Sequence, residues 1–318
     1  MARTFQQAAY LSTEELVQGV IETLIQESPI LDRMPFIEVQ GNSYRYNQEA
    51  TLPGVAWRAV NGSYTESTGT VNPVTENIAI LGGDADTDTF VQQVMSDVND
   101  QRAVDTAAKV KACAAAFQSA FFLGDTEVDP NSIDGLKTRL TGGQVITGGT
   151  NGIPIIGNGG TDIHAFLDKL DAAIGQVRGI DTSNGAIYAN RTVIAKLAAA
   201  ARRISNELQF SEDIAKKRVP MWNGIPILDA GIGVNGLDIL AFDETQGTAT
   251  TSTSVYVVKY GAAPHDRGVT GLTNGFVQAK DLGEISSKPA YRTRVELFAG
   301  MAVFGGQAAA RLKGVLNG

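Results

Sequence analysis

Four carboxylates lie within ten residues of one another in the sequence FFLGDTEVDPNSIDGLKTRL, and these are Asp125, Glu127, Asp129 and Asp134. Oxygen ligands at alternate positions are typical of a calcium loop, which also needs glycine at its sixth position and glutamate at its twelfth. Counted from Asp125, those positions hold Pro130 and Leu136. A pair such as Asp125 and Glu127 could serve acid–base chemistry, but loop carboxylates this close together are more often turn residues. We therefore predict that the stretch ends a helix, with Gly124 as a left-handed cap.

A second candidate is the sequence GIGVNG, whose Gly231, Gly233 and Gly236 match the spacing of a dinucleotide-binding loop. Such a loop follows a strand and opens a helix, because the helix N-terminus holds the pyrophosphate. Here PILDA before the glycines has the pattern of a strand, but so does LDILAF after them. Two strands joined by a glycine-rich turn is the favoured interpretation, and a nucleotide-binding α/β enzyme is the alternative.

Few other residues in the chain could do chemistry. His164 and His265 are far apart in the sequence, and neither has a second ligand at zinc spacing. The only cysteine, Cys113, lies in the apolar segment KVKACAAAF, which is typical of a buried thiol. No P-loop and no Gly-x-Ser-x-Gly sequence occurs. We expect no catalytic residues, no metal and no cofactor.

The charge of the 318-residue chain is −8 and is unevenly distributed. Residues 1–90 contain 4 basic and 12 acidic side chains, whereas the rest of the chain is balanced. The sequence lacks the basic stripe of a nucleic-acid-binding protein. The acidic segment favours a basic partner surface, although a solvated acidic face explains it equally well. No apolar run is long enough to span a membrane, and the first residues lack the pattern of a secretory signal.

The first predicted elements are a helix and a hairpin. The sequence LSTEELVQGVIETLIQESP predicts an amphipathic helix that begins at its Ser-Thr pair and ends before Pro29. Residues 41–84 predict a long two-stranded hairpin with its tip near residues 60–70. An isolated hairpin is marginally stable in water, so this one needs a neighbour, either its own domain or another subunit. Trp57, near the tip, could anchor a subunit contact or pack within its own hairpin.

The remaining sequence predicts an α+β fold. Residues 88–123 contain neither Gly nor Pro and predict one helix of roughly 36 residues, about 54 Å long. After a glycine-rich connection, helices over 162–177 and after Asn190 alternate with strands at AIYAN, GIPILDA, GLDILAF and VYVVKYG. The sequence YRTRVELFAGMAVFGGQAAARL predicts one long closing strand. This order favours an α+β fold with a mixed central subdomain.

The order of these parts resembles the major capsid protein of tailed bacteriophages, whose fold is named after a Hong Kong lambdoid phage. The segments FFLGD…P…IDGL, IYANRTVIAKLAAAARR and WNGIPILDAG are similar to the matching family segments, and nearly the whole chain is covered. The resemblance implies five parts, which are an N-terminal arm (1–40), an E-loop hairpin (41–84), a peripheral domain with the spine helix (85–150), an axial domain (155–270) and a return to the peripheral domain (271–318).

The resemblance also implies a function and partners. The chain would be a non-enzymatic protein that self-assembles through hexamers and pentamers into an icosahedral shell, enclosing phage double-stranded DNA without sequence-specific binding. Separate scaffolding, portal and cement proteins would be further partners, and no membrane would be involved. The protein would reside in the virion capsid after assembly in the host bacterial cytoplasm. The acidic first ninety residues would contact a neighbour's basic surface, and our candidate intersubunit residues are Trp57, Arg58, Lys280, Lys288, Arg292 and Arg294.

An encapsulin is the alternative with the same fold. Encapsulins are bacterial compartment shells that bind the tail of a cargo protein with an N-terminal helix, and the first predicted helix of this chain keeps that alternative open. Only about forty residues precede the hairpin. Scaffolding is therefore expected from a separate protein or not at all, unless this sequence is a processed form.

Some members of the capsid family join subunits by an isopeptide bond from an E-loop lysine to a neighbour's asparagine. Residues 41–84 contain no lysine. We therefore expect assembled particles, boiled in detergent, to give a monomer-sized band on a denaturing gel. A ladder of covalent multimers would refute this expectation.

Overall fold

A computed structural model describes residues 3–5, 15–95, 101–204, 209–212 and 218–317. The helices of this part are α1 (Glu15–Glu27), α2 (Pro29–Arg33), α3 (Thr89–Met95), α4 (Gln101–Leu123), α5 (Leu136–Arg139), α6 (Gly160–Gln176) and α7 (Arg191–Arg203). The strands are β1 (Phe36–Glu38), β2 (Ser43–Thr51), β3 (Thr70–Asn77), β4 (Ala79–Asp88), β5 (Val145–Thr147), β6 (Ile153–Pro154), β7 (Gly185–Ala189), β8 (Gln209–Glu212), β9 (Arg218–Trp222), β10 (Ile225–Asp229), β11 (Glu244–Gln246), β12 (Ala249–Lys259), β13 (Val269–Glu284), β14 (Ala290–Val303) and β15 (Ala309–Leu316). The predicted α+β class is confirmed.

The smaller of the two main sheets has four strands in the order β1-β13-β14-β4. In β14 the alternate side chains of Val295, Leu297 and Ala299 are buried, as the two-residue period of a strand requires. The helix α4 packs against β4 and β14, and its Val110 and Phe117 enter the core. The sheet thus combines one strand from before the hairpin (β1), one directly after it (β4) and two from near the C-terminus (β13 and β14).

The larger sheet has nine strands, with a main path β5-β15-β12-β7-β10-β9-β8, where β11 pairs with β12 and β6 with β15. Every residue of β7 is buried, as expected of a central strand covered on both faces. The helix α6 packs against β15, and α7 packs against β10. The helix predicted after Asn190 is α7, and Asn190 caps it, since its Oδ1 accepts a hydrogen bond from Thr192 N at 2.8 Å.

The two sheets share one hydrophobic core at the C-terminal end of α4. The ring of Phe122 lies 5.4 Å from that of Tyr188 in β7 and 5.3 Å from that of Tyr256 in β12, measured between centroids. The hydroxyls of Tyr188 and Tyr260 hydrogen-bond to each other at 2.6 Å. The end of the spine helix therefore joins the four-stranded sheet to the nine-stranded one.

The predicted hairpin is confirmed. The strands β2 and β3 pair antiparallel and form a two-stranded sheet of their own, and residues 52–69 between them form the tip. At the base, the ring of Tyr46 lies 4.8 Å from that of Phe304, and its hydroxyl donates to the carbonyl of Val303 at 3.2 Å. The hairpin is thus fixed to the body of the protein at one end only.

The first helix also matches the prediction in its described part. It ends at Glu27, and Ser28 then caps α2 by accepting a hydrogen bond from Leu31 N at 3.4 Å. The predicted start at the Ser-Thr pair lies outside the described residues. Within the described part, no helix is long and apolar enough to cross a membrane.

The prediction of one straight helix over residues 88–123 is wrong. A straight helix would separate residues 92 and 102 by about 15 Å, far more than a glutamine side chain spans. In the structure Arg102 N donates to Oε1 of Gln92 at 3.1 Å, so α3 folds back towards the start of α4. The link, residues 96–100, lies outside the described residues. Its sequence SDVND is rich in side chains that compete for backbone hydrogen bonds and so disfavour a helix interior.

The segment GLDILAF does not form the predicted strand. Apart from an isolated bridge between Ile232 and Asp238, residues 236–242 pair with no other strand in the described part of the chain. Ile239 and Leu240 are nevertheless buried in the core. The apolar pattern therefore indicated burial correctly but not strand structure, and GIGVNG is followed neither by a helix nor by a strand.

The C-terminal sequence forms two strands rather than one. Residues 304–308 separate β14 from β15, and Gly305 there adopts a φ of 91°, which favours glycine. The strand β15 pairs with β12 in the nine-stranded sheet. The predicted return of residues 271–318 to the peripheral domain therefore needs correction, because its last strand lies in the other sheet.

Gly124 is needed for close approach rather than for a left-handed cap. Its φ is not positive, and its N–H still donates to Ala120 O at 2.9 Å as the helix ends. Its carbonyl accepts from Gly135 N at 2.8 Å, which closes the turn between them. A Cβ at position 124 would overlap the carbonyl oxygen of Ile133.

We expect Gly124→Ala to lower the free energy of unfolding by roughly 1–3 kcal/mol, because the backbone at Ile133 must move. Gly175→Ala is the control, since Gly175 is exposed in the last turn of α6 and has open space where the added methyl group would lie. That variant should be neutral or slightly stabilising. Urea denaturation of both variants measures the difference, and equal midpoints would contradict the crowding argument.

Candidate assembly surfaces

The hairpin tip exposes large apolar side chains. Trp57 is fully exposed, at 103 %, and Val55 and Val60 are 96 % and 90 % exposed. Packing of Trp57 within its own hairpin, one of the two alternatives from the sequence, is therefore wrong for the single chain. A cluster of this kind on a projecting element is typical of a surface that another molecule covers.

Arg58 is held loosely beside this tryptophan. Its Nη1 lies 3.4 Å from the carbonyls of Ala59 and Gly62, and its guanidinium lies 5.3 Å from the centroid of the Tyr64 ring. Both hydrogen bonds are long, and all of these groups lie within the exposed tip. The charge of Arg58 thus remains available for a partner carboxylate.

A largely buried ion pair fixes the base of the hairpin. Arg139 in α5 donates from Nη1 and Nη2 to the two carboxylate oxygens of Glu76 in β3, each at 2.6 Å. Its Nε donates to the carbonyl of Asp134 at 2.8 Å. Burial raises the pKa of the neighbouring Tyr46 to about 12, and the Glu76 carboxylate adds to that rise. No sequence pattern indicated this pair, because its partners are far apart along the chain.

The acidic residues 125–134 hold the turn that follows α4. Oδ1 of Asp125 accepts from Glu127 N at 2.9 Å, and Oδ1 of Asp129 accepts from Asn131 N at 3.0 Å. Asp134 accepts from both the backbone and the hydroxyl of Thr126. Burial acts to raise the pKa of Asp134, but these hydrogen bonds outweigh it and lower that pKa. The bonds of Asp125 and Asp129 are typical of Asx turns, whereas those of Asp134 join the two ends of the stretch. Among the described residues, no group of three potential ligands is arranged to hold a metal ion.

The nominated basic residues of β14 pair within their own chain. Arg292 makes two hydrogen bonds to Asp86 at 2.6 and 2.7 Å, and Arg294 makes two to Asp84 at 2.8 and 3.1 Å. Lys288 Nζ lies 2.8 Å from Oδ2 of Asp86. Hydrogen bonds from Arg292 and Arg294 lower the pKa of Asp86 and of Asp84, respectively.

These contacts correct one part of the sequence interpretation. Asp84 and Asp86 of the acidic segment do contact basic side chains. Those side chains, Lys288, Arg292 and Arg294, lie on or beside β14 of the same chain. The register Asp86↔Arg292 and Asp84↔Arg294 places opposite charges side by side on one sheet face. The alternating charges of DADTD and RTR were a signal for this pairing. Lys280 is exposed, and its role between subunits stays a prediction.

The remaining candidates for chemistry lie apart from one another. His265 is paired with Asp266 at 3.3 Å, and His164 lies on α6. Cys113 is buried on α4, and burial raises the pKa of its thiol. The turn at GIGVNG is closed by hydrogen bonds within the loop, with Gly233 N donating to Leu237 O at 2.8 Å. It exposes apolar side chains instead of a phosphate-binding helix end.

A comparison with known families gives a match over part of the chain. Residues 12–165 match the model of a family described as Major capsid protein GP7. This region contains the hairpin, the spine helix, the acidic turn and the beginning of α6. A comparison with curated proteins gave no match.

Several solved structures share the fold over nearly the whole chain. The holo-SrpI encapsulin complex from Synechococcus elongatus contains a chain that is 16 % identical, with a TM-score of 0.67 and coverage of 98 % of this chain and 95 % of that one. The capsid of a native GTA particle is 16 % identical, with a TM-score of 0.59 and 96 % coverage of both chains. A structure of Mycobacterium phage Bobi is 13 % identical, with a TM-score of 0.61 and coverage of 90 % and 89 %.

We expect Arg139→Ala to destabilise the unassembled chain by on the order of 3 kcal/mol, because it leaves the Glu76 carboxylate buried without its partner. Arg139→Lys should recover only part of this loss, since lysine keeps the charge but cannot form the two-point contact. Urea denaturation measures both. If Arg139→Ala unfolds at the midpoint of the unchanged chain, the pair does not fix the hairpin base.

Proposed function

We infer that this chain is a major capsid protein of the tailed-phage type, the class that residues 12–165 match and whose fold the whole chain has. Its role is structural: many copies assemble into a closed shell. The observation that carries this inference is a full-length capsid fold in which the hairpin projects with an exposed apolar tip.

The hairpin supports assembly for a physical reason. A two-stranded ribbon gains little stability in water unless another surface covers it. In the single chain the base is anchored at Tyr46 and Glu76, whereas the tip is uncovered. Contact with neighbouring copies would bury that surface, and many modest contacts repeated around a closed shell add up to a stable particle.

The finer features of the assembly are also proposals. The shell is icosahedral, built of hexamers and pentamers, and encloses phage double-stranded DNA without reading its sequence. Separate scaffolding, portal and cement proteins assist it, and assembly takes place in the cytoplasm of the host bacterium. The net negative charge of the chain supports enclosure without tight binding, because it limits attraction to phosphates.

An encapsulin-type compartment shell is the second candidate. It is favoured by the likeness to the Synechococcus elongatus encapsulin, whose TM-score of 0.67 exceeds the values of 0.59 and 0.61 for the two capsid chains above. At 16 % identity this likeness speaks for the fold alone. The family match over residues 12–165 favours the capsid protein.

Electron microscopy of the purified chain tests the assignment. We expect large shells, tubes or ring-shaped capsomers, because the subunits associate through repeated contacts. Small shells of uniform size would favour the encapsulin. Discrete small oligomers, or monomers at every concentration, would overturn a shell-forming function.

A further inference from the structure

Asparagine followed directly by glycine is the dipeptide in which the asparagine side chain loses ammonia most readily, and this chain contains eight such pairs. The reason is steric, because glycine has no Cβ to hinder the approach of its backbone nitrogen to the preceding side chain. The asparagines are Asn61, Asn151, Asn158, Asn184, Asn223, Asn235, Asn274 and Asn317. The reaction needs an asparagine side chain that can rotate and a glycine nitrogen that can move towards it. The surroundings of each pair therefore decide which of them reacts.

Five of the pairs are restrained through the asparagine side chain, whose amide makes hydrogen bonds of 2.8–3.1 Å. The partners are Thr248 N for Asn151, Asp181 N and Gly179 O for Asn184, the Asp171 carboxylate for Asn223, Leu237 N for Asn235 and Gly41 O for Asn274. Asn184 is the most firmly held, because both ends of its amide are bonded and Gly185 N also donates to Asp181 O at 2.9 Å. In these pairs the side chain cannot rotate freely.

Asn158 is restrained through its backbone instead. Its N–H donates to Oδ2 of Asp162 at 2.7 Å, and Gly159 N donates to Ile156 O at 2.9 Å. The carbonyl of Gly159 accepts from Ile163 N in α6 at 3.1 Å. The glycine nitrogen therefore cannot move without disturbing the beginning of that helix. Of the pair at Asn317, the glycine lies outside the described residues.

Asn61, in the hairpin tip, has neither restraint. Its side chain makes no hydrogen bond to another residue in the described part of the chain. Gly62 N donates to Ala59 O at 3.0 Å, a contact within the tip itself. Residues 52–69 are all exposed. Opening this turn breaks one backbone hydrogen bond and uncovers no buried side chain, so its free-energy cost is small.

We propose that Asn61 is the deamidation site of the unassembled chain. The nitrogen of Gly62 gives up its proton to hydroxide and attacks Cγ of Asn61. The bond from Cγ to Nδ2 then breaks, and Nδ2 takes up a proton and leaves as ammonia. Water opens the resulting succinimide ring by adding to either of its carbonyl carbons, which leaves aspartate or isoaspartate at position 61. Water is the only co-reactant, and nothing is oxidised or reduced.

The reaction changes both the charge and the backbone of the tip. Residues 52–69 contain one basic residue, Arg58, and one acidic residue, Glu66, so their net charge falls from 0 to −1. Isoaspartate also lengthens the main chain by one carbon atom in the turn that Gly62 closes. A chain that stays unassembled thus acquires a tip that differs from that of a newly made chain. Within a shell the neighbouring copies would cover the tip, so the reaction belongs to the unassembled chain.

Peptide mass spectrometry of the full-length chain tests the proposal. The unassembled fraction, isolated by size-exclusion chromatography, is incubated at mildly alkaline pH and then digested in acid, which suppresses the reaction during work-up. We expect the peptide that contains Asn61 to deamidate several-fold faster than the peptides that contain Asn158 and Asn184. These two are internal controls, because the same dipeptide is restrained by the fold. In urea, Asn184 should react about as fast as Asn61, since the fold no longer holds its side chain.

Gly62→Ala is the matched variant, because its Cβ hinders the attack and its site lies in the exposed tip. It should slow the reaction at Asn61 several-fold and leave the other pairs unchanged. Ion-exchange chromatography provides a second measurement: the unchanged chain should gain a more acidic species with time, and Asn61→Gln should not. If Asn61 in the folded chain reacts no faster than Asn184, or if Gly62→Ala reacts as fast as the unchanged chain, the proposal is overturned. Neither result depends on whether the chain forms shells.

Discussion

A two-stranded ribbon cannot bury either of its faces by itself, and this constraint governs the use of β2 and β3. Their ladder is anchored at the base by the Glu76–Arg139 pair and by Tyr46, while the tip projects with Trp57 uncovered. Evolution commonly limits exposed apolar surface on proteins that act alone. A tip of this composition is therefore understandable only in a molecule whose working state includes other molecules.

The end of α4 meets several structural requirements in a small volume. Phe122 joins the cores of the two sheets, Gly124 lets the helix end meet the carbonyl of Ile133, and the acidic residues that follow hold the turn. The same turn leaves the side chain of Val128 exposed. Residues that resemble a metal site in sequence thus shape the chain locally, and their negative charge remains at the surface.

Features with a local cause could be predicted from the sequence. Asn190 caps α7 through the next residues of its own helix, and the alternation of residues 43–51 and 70–77 produces a hairpin. Features that depend on distant partners could not. The burial of Ile239 without strand pairing, the placement of β15 beside β12 and the crowding at Gly124 all follow from contacts between segments remote in sequence. The ion pairs of Arg292 and Arg294 are an intermediate case. The alternating acidic and basic side chains could be recognised in the sequence, but the sequence did not show that both partners belong to the same chain.

Phe304 connects the base of the hairpin to the link between the two main sheets. This residue begins the short link between β14 in the four-stranded sheet and β15 in the nine-stranded sheet, and the ring of Tyr46 packs on it at 4.8 Å. The Tyr46 hydroxyl donates a hydrogen bond to the carbonyl of Val303, the residue before Phe304. A force applied to the tip would therefore be transmitted to the link between β14 and β15, which connects the two sheets.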